Sequence, residues 1–176
     1  RGLGDVYKRQ VLERARIDPH SGIIDQVYMG QVLQAGAGQA PARQVAIAAG
    51  LPYSTPCTTI NKVCGSSLKA VMVAATEIMA GKSNAVIAGG MESMSQAPHF
   101  IRGARRGDEI SFEELTGILS HDGLKDAYDG SMMGITGETI AKEADISRSE
   151  SDKYALRSHT LSDSAWEKGW LEAVSY

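Results

Sequence analysis

The segment STPCTTINKVCGSSLKAVMVAATEIMAGKSNAVIAGG, Ser54 to Gly90, decides the fold. Its opening, Ser54 to Val63, is β-branched and reads as a strand. Leu68, Val71, Met72, Ala75, Ile78 and Met79 then recur at offsets of 3, 4, 7, 10 and 11 from Leu68. Those offsets trace one face of a helix, which Gly81 closes. Ser83 to Gly90 is a short apolar run ending in two glycines, a second strand. Strand, helix, strand at this spacing is a βαβ unit, so the fold class is α/β with a parallel, buried sheet.

Upstream, Ile23 to Gln34 is rich in β-branched and aromatic residues, and a strand is expected around Gln26 to Val32. Gly36 and Gly38 punctuate it. Pro41 to Gly50 has Pro placed for a first helical turn and Gly at its end, a short helix. Val11 to Ile17 is helix-like. The first ten residues, RGLGDVYKRQ, carry no clear period, and the closing Val174 to Tyr176 is equally abrupt; both are read as non-native ends. Downstream, composition changes near Ser95. An irregular basic stretch gives way to helix-like FEELTGIL and MGITGETIAKEADI. Ser147 and Glu150 then form a capping-box pattern that opens an amphipathic helix to about Trp166. The expected organisation is a core domain over 11–105 and the start of a helical loop domain over 106–173. Their boundary falls between Pro98 and Phe112.

The chain has 176 residues, 43% of them hydrophobic and 22% charged, a globular rather than a disordered composition. A net charge of -3 recruits neither nucleic acid nor an acidic membrane in bulk. No apolar run is long enough to span a bilayer. Two cysteines, Cys57 and Cys64, make no disulfide framework and no zinc site alone, and His20, His99, His121 and His159 show no ligand spacing around them. A reducing compartment follows, with a cytoplasmic location expected and an organelle left open by the lack of an initiating Met.

Cys64 falls where the first strand of the βαβ unit ends and its helix begins. Unpaired N–H groups and the positive end of the helix dipole gather there, and both favour an anion. Gly65, Ser66 and Ser67 keep the following side chains small, so an acyl group can approach. Cys57, in mid-strand, is read as a small buried hydrophobe.

The run Ile60-Asn61-Lys62-Val63-Cys64-Gly65-Ser66-Ser67-Leu68-Lys69-Ala70 resembles the acyl-enzyme signature of thiolases. MGQVLQAGAGQAPARQVAIAAGLP, Met29 to Pro52, resembles the block that precedes it in that family, and AGGMESMSQAP, Ala88 to Pro98, the block that follows. Three blocks in order and correctly spaced make the resemblance specific, and it covers about residues 11 to 173. The likeness is greatest to the acetoacetyl-CoA-forming thiolases.

The resemblance implies the thiolase fold, a layered αβαβα arrangement of two similar halves, of which this chain carries most of the first and the start of the loop domain. It implies acyl transfer between two CoA thioesters, with acetyl-CoA and acetoacetyl-CoA as partners, Cys64 as nucleophile and no metal or redox cofactor. It also implies a homodimer or homotetramer. Leu124 and Met133 match family positions lining the pantetheine channel of coenzyme A, with an ordinary core role as the alternative. Arg102, Arg105 and Arg106 occupy the place of a loop that meets the CoA nucleotide in some tetrameric members; a solvated surface run is the other reading. Gly89 to Ser93 ends a strand at the edge expected for an α/β active site and is read as scaffold around it, with a turn needing positive φ as the other reading of its glycines. Ser67 stands where the family usually has Gly, which narrows the acyl pocket, and Met132 where it often has His. The family's Gly-His-Pro, Asn-Glu-Ala-Phe-Ala and second-cysteine motifs do not occur, so a truncated sequence is expected. A longer-chain 3-ketoacyl-CoA thiolase and a non-catalytic subunit with the same fold are the alternatives.

Overall fold

The computed structural model describes residues 10–170. The two ends read as non-native, apart from Gln10, lie outside the described residues. Contacts divide the chain into two compact units, the first ending at Gly123 and the second beginning at Leu124. The stretch 98–112, where composition changes, lies inside the first.

Three parallel strands form the centre of the first unit: β1 (Gln26–Gly30), β2 (Cys57–Ile60) and β3 (Val86–Gly90), in the order β2-β1-β3. Val27 pairs with Cys57 and Ile87, and Gly30 with Ile60 and Gly90, so the three strands end level. Side chains alternate across β1 as the pleat requires. Val27 and Met29 join Leu12, Ala42, Ala46 and Ala49 in one core, built with helix α1 (Pro41–Ala48). Tyr28 points to the other side, onto Ala70 and Ala74 of helix α2 (Ser66–Met79). Both faces of the central strand are therefore covered, as a parallel sheet demands.

β2 is shorter than the run Ser54 to Val63 from which it was expected. Pro56 lacks an N–H and restricts Thr55 before it. Beyond Ile60, Asn61 turns the chain by accepting the Val63 N–H on its side chain.

Helix α2 corrects a larger expectation. Its apolar stripe does not face the sheet: Leu68 is 67% exposed and Met79 87%, and Val71, Met72 and Ile78 are also exposed. The small residues Ser66, Ala70 and Ala74 are the ones buried. Small side chains let the helix lie close to the strands, and glycines on the strands make room. A Cβ added at Gly30 would stand 2.5 Å from the Ser67 nitrogen and 2.6 Å from the Ser66 carbonyl carbon. One added at Gly90 would overlap the Ser67 hydroxyl. Gly90 is thus required by close approach. Neither it nor Gly89 has the positive φ expected of them, and both lie within β3.

FEELTGIL is not a helix. Phe112–Glu114 is a 3₁₀ turn capped by Ser111, and Thr116–Gly117 is a strand, β5, antiparallel to β4 (His99–Phe100). β-Branched Thr116 and the glycine after it suit an extended pairing with a distant segment better than a helix interior. A π-helical turn, Leu119–Leu124, closes this region.

The second unit contains helices α3 (Met133–Glu143) and α4 (Arg148–Glu167). α4 starts as its sequence requires. Ser147 Oγ accepts from the Glu150 N–H at 3.2 Å, and the Glu150 carboxylate accepts from the Ser147 N–H at 2.8 Å. No residue of α4 is buried, so the amphipathic pattern meets no core among the described residues.

Two outcomes follow from these packings. Gly30→Ala should cost about 3 kcal/mol or more in urea unfolding of the full-length protein, because backbone atoms cannot yield to the new methyl. Gly134→Ala, in α3 with nothing within 4 Å, should instead add about 1 kcal/mol; equal effects at the two sites would contradict the close-approach account. The second outcome concerns pH. The Ser147 N–H, then its hydroxyl, holds the Glu150 carboxyl below its ordinary value of 4.5. A lowered folded-state value means that the cap's contribution is complete above about 4.5 and fades as the pH falls further. Hydrogen-exchange protection of the first turn of α4 should decline on acidification below that point, and Glu150→Gln should flatten the decline.

Candidate active site

The three parallel strands deliver their following loops to one edge, and short hydrogen bonds tie those loops together. The Gln31 N–H donates to the Ile60 carbonyl (3.0 Å) and the Met91 N–H to that of Gly30 (2.9 Å). Val32 is the link among all three. Its N–H donates to the Glu92 carboxylate at 2.8 Å, after β3, and its carbonyl accepts from Asn61 Nδ2 at 3.3 Å, after β2. Glu92 also accepts from the Leu33 N–H at 3.2 Å. The reading of Gly89 to Ser93 as scaffold agrees with this, and Glu92 is the residue that performs it. Sequence reasoning missed that role, since a lone Glu after a strand carries no signal of what it will bind.

Cys64 sits on this edge, in the turn between β2 and α2, and is exposed. Gly65 caps the helix and Ser66 begins it. The turn is closed by its own residues. The Lys62 N–H donates to Ser66 Oγ at 2.8 Å, and the Ser66 hydroxyl donates to the Val63 carbonyl at 2.5 Å. The Gly65 N–H reaches the Lys62 carbonyl and the Ser66 N–H that of Val63, both at 3.1 Å. Inside this ring Val63 has φ +47°, a left-handed conformation rare for a β-branched residue. Such strain costs on the order of 1–3 kcal/mol and persists only where its surroundings impose it. Here the surroundings are Asn61 on one side and Ser66 on the other.

This arrangement places a nucleophilic atom at the carboxyl ends of parallel strands and the amino end of a helix, where α/β folds hold ligands. A helix N-terminus favours negative charge by about 0.3–1 kcal/mol, and more when partly buried. A negative charge placed beside Cys64 would meet that field. The serine at position 67 sets its hydroxyl against Gly90, which accounts for how a hydroxymethyl group fits there.

Cys57 is the first residue of β2 rather than mid-strand, half-buried, with its thiol donating to the Thr55 carbonyl at 3.3 Å. Leu124 and Met133 belong to the second unit, where they flank the antiparallel bridge between Lys125 and Met132 and are both exposed. Arg102 stacks on Phe100 at 5.3 Å, and Arg106 pairs with Asp108 at 3.3 Å. Among the described residues no group of His, Cys, Asp or Glu is placed to hold a metal, and no helix is long and apolar enough to cross a membrane.

Known proteins agree with this geometry. Residues 1–174 match the thiolase N-terminal domain. The chain is 49% identical over 167 residues to the acetyl-CoA acetyltransferase of Cupriavidus necator, covering 95% of this chain and 42% of that protein. It is 45% identical over 168 residues to the mitochondrial acetyl-CoA acetyltransferase of Homo sapiens, covering 95% and 38%. Among solved structures, the Acat5 thiolase from Ascaris suum, in complex with coenzyme A, superposes with a TM-score of 0.86 at 36% identity, over 99% of this chain and 44% of that one. The chain thus spans well under half the length of the relatives it matches. A likeness that runs almost from end to end of this chain, in sequence and in backbone, makes it a member of the thiolase family.

Proposed function

We propose that the full-length protein transfers acyl groups between CoA thioesters, condensing two acetyl-CoA to acetoacetyl-CoA and CoA or catalysing the reverse thiolysis. The observation that carries this is the exposed Cys64 in the turn just before α2, held on the edge where three parallel strands end. The names of the relatives, acetyl-CoA acetyltransferases from a bacterium and from mitochondria, support the substrate.

The chemistry is covalent catalysis. The Cys64 thiolate attacks the carbonyl carbon of acetyl-CoA, the carbonyl oxygen takes up charge near the helix N-terminus, and the thioester bond breaks to release CoA. A second acetyl-CoA loses a proton from its α-carbon. The resulting carbanion attacks the acyl-enzyme, and Cys64 leaves as thiolate. CoA thioesters enter as substrates and the scheme needs no separate cofactor. The base that removes the α-proton lies outside the residues of this chain. Leu124 and Met133 are the candidates here for contact with pantetheine. The exposed thiol of Cys64 supports a reducing compartment such as the cytoplasm. The uncovered apolar stripe of α2 supports an enzyme in which further chain, and at least a homodimer, completes the layers.

In the full-length protein, iodoacetamide should label Cys64 before the half-buried Cys57, as read by peptide mapping. Cys64→Ala should abolish the acyl-enzyme seen by mass spectrometry while leaving the fold intact; preferential labelling of Cys57 would overturn the assignment. Residues 1–176 alone should give no multiple turnovers in an acetoacetyl-CoA absorbance assay. Groups that act as a unit lose far more than their separate shares when some are removed. Turnover by this chain, lost in Cys64→Ala, would show that it needs nothing more.

A further inference from the structure

We propose that Ser66 is a positioning residue for Cys64, acting through the left-handed backbone of Val63; the inference rests on Cys64 being the nucleophile. Ser66 is 3% exposed, although a hydroxyl at the first position of a helix ordinarily faces water. Burial is tolerated because both of its hydrogen-bonding roles are filled, and both partners belong to the two residues before the cysteine. It accepts from the Lys62 N–H and donates to the Val63 carbonyl. It makes no bond to Cys64 itself. What it fixes is the peptide plane between Val63 and Cys64, because the carbonyl it holds belongs to that plane.

Val63 has no intrinsic reason to remain at φ +47°. Without the hydroxyl, the part-buried Lys62 N–H loses its partner and the Val63 carbonyl keeps only the Ser66 N–H, so Val63 returns to negative φ. Cys64, the next residue, is then carried away from the strand edge. The second restraint, Asn61 Oδ1 on the Val63 N–H, is exposed and holds the other side of the same residue. The role differs from a packing role in one respect: its loss is recoverable by a residue that adopts positive φ unaided. Glycine does so without steric cost.

The test uses the full-length protein and the rate at which iodoacetamide alkylates Cys64, scored by peptide mapping per folded molecule. In that reaction the thiolate sulfur forms a bond to the methylene carbon and iodide leaves with the bonding pair, so no turnover is needed. Ser66→Ala should slow alkylation about tenfold. In the acyl-transfer assay it should lower kcat by a similar factor, with KM for acetyl-CoA changed less than about twofold, the pattern of lost alignment rather than lost binding. Adding Val63→Gly to Ser66→Ala should restore about fivefold of the loss. A simply structural serine predicts the opposite, since glycine would loosen the turn further. Asn61→Ala, at an exposed position, should slow alkylation about threefold and be rescued by the same glycine; it carries the comparison if Ser66→Ala does not fold. Wild-type rates in Ser66→Ala, or slow rates that Val63→Gly fails to recover in either background, would overturn the proposal. A wild type that is alkylated at Cys64 yet forms no acyl-enzyme would instead overturn the acyl-transfer reading and leave the Ser66 comparison standing.

Discussion

The close seating of the first turn of α2 on Gly30 and Gly90 is the constraint on which the rest of the first unit depends. A helix carrying large residues at 66, 70 and 74 would ride higher over the sheet. Three consequences come from the low position. The sheet must end in glycines where the helix touches it. The helix must present serine and alanine inward, which sends its leucine, valine and methionine side chains outward. The turn before the helix must then be tight, since little height separates the end of β2 from the start of α2. Cys64 occupies that turn, where an exposed side chain stands between the end of β2 and the N-terminus of α2.

Tightness of that kind has to be maintained, and polar bonds maintain it where packing cannot. Between β2 and α2 the residues are exposed apart from Gly65 and Ser66. Hydrophobic burial contributes little there, so Asn61, Ser66 and Glu92 fix the loops by accepting backbone N–H groups. Val32, bonded on both sides, makes the three loops one structure. A site built on strand ends and tied in this way holds a geometry that a free loop would not, and on the acyl-transfer reading that is what attack on a thioester needs.

Much of this was legible in the sequence, and the failures share a cause. The βαβ order, the helix begun by Pro41 and the α4 cap at Ser147 are local. Each is specified by residues within a turn of one another, so each could be read directly. The position of Cys64 between strand and helix was local too. What could not be read was set by neighbours distant in the chain. Periodicity finds a stripe on α2 but not which side the sheet takes, because the sheet's preference depends on Gly30 and Gly90. FEELTGIL has helix-forming residues, yet Thr116 pairs with Phe100, sixteen positions away. The glycines of β3 suggested a turn because positive φ is the common local reason for glycine; their actual reason is a helix that passes overhead. Val63 offered no signal at all, since nothing in a valine announces a left-handed backbone.

The outward stripe of α2 ties the cover of the fold to its chemistry. Leu68, Val71, Met72, Ile78 and Met79 are each about half exposed or more. Full burial of such a side chain is worth about 1.5–3 kcal/mol, so covering five that are already partly shielded represents roughly 5 kcal/mol, an upper estimate. That is comparable with the whole net stability of a small domain, about 5–15 kcal/mol. Whatever covers the stripe is therefore as important to folding as any core element described here. Cys64 lies in the turn just before α2, and Leu68 is the third residue of that helix, so one end of the stripe is near the thiol in the chain. On the acyl-transfer reading, a segment that covers this end of the stripe would also be placed to bring the base that Cys64 chemistry requires.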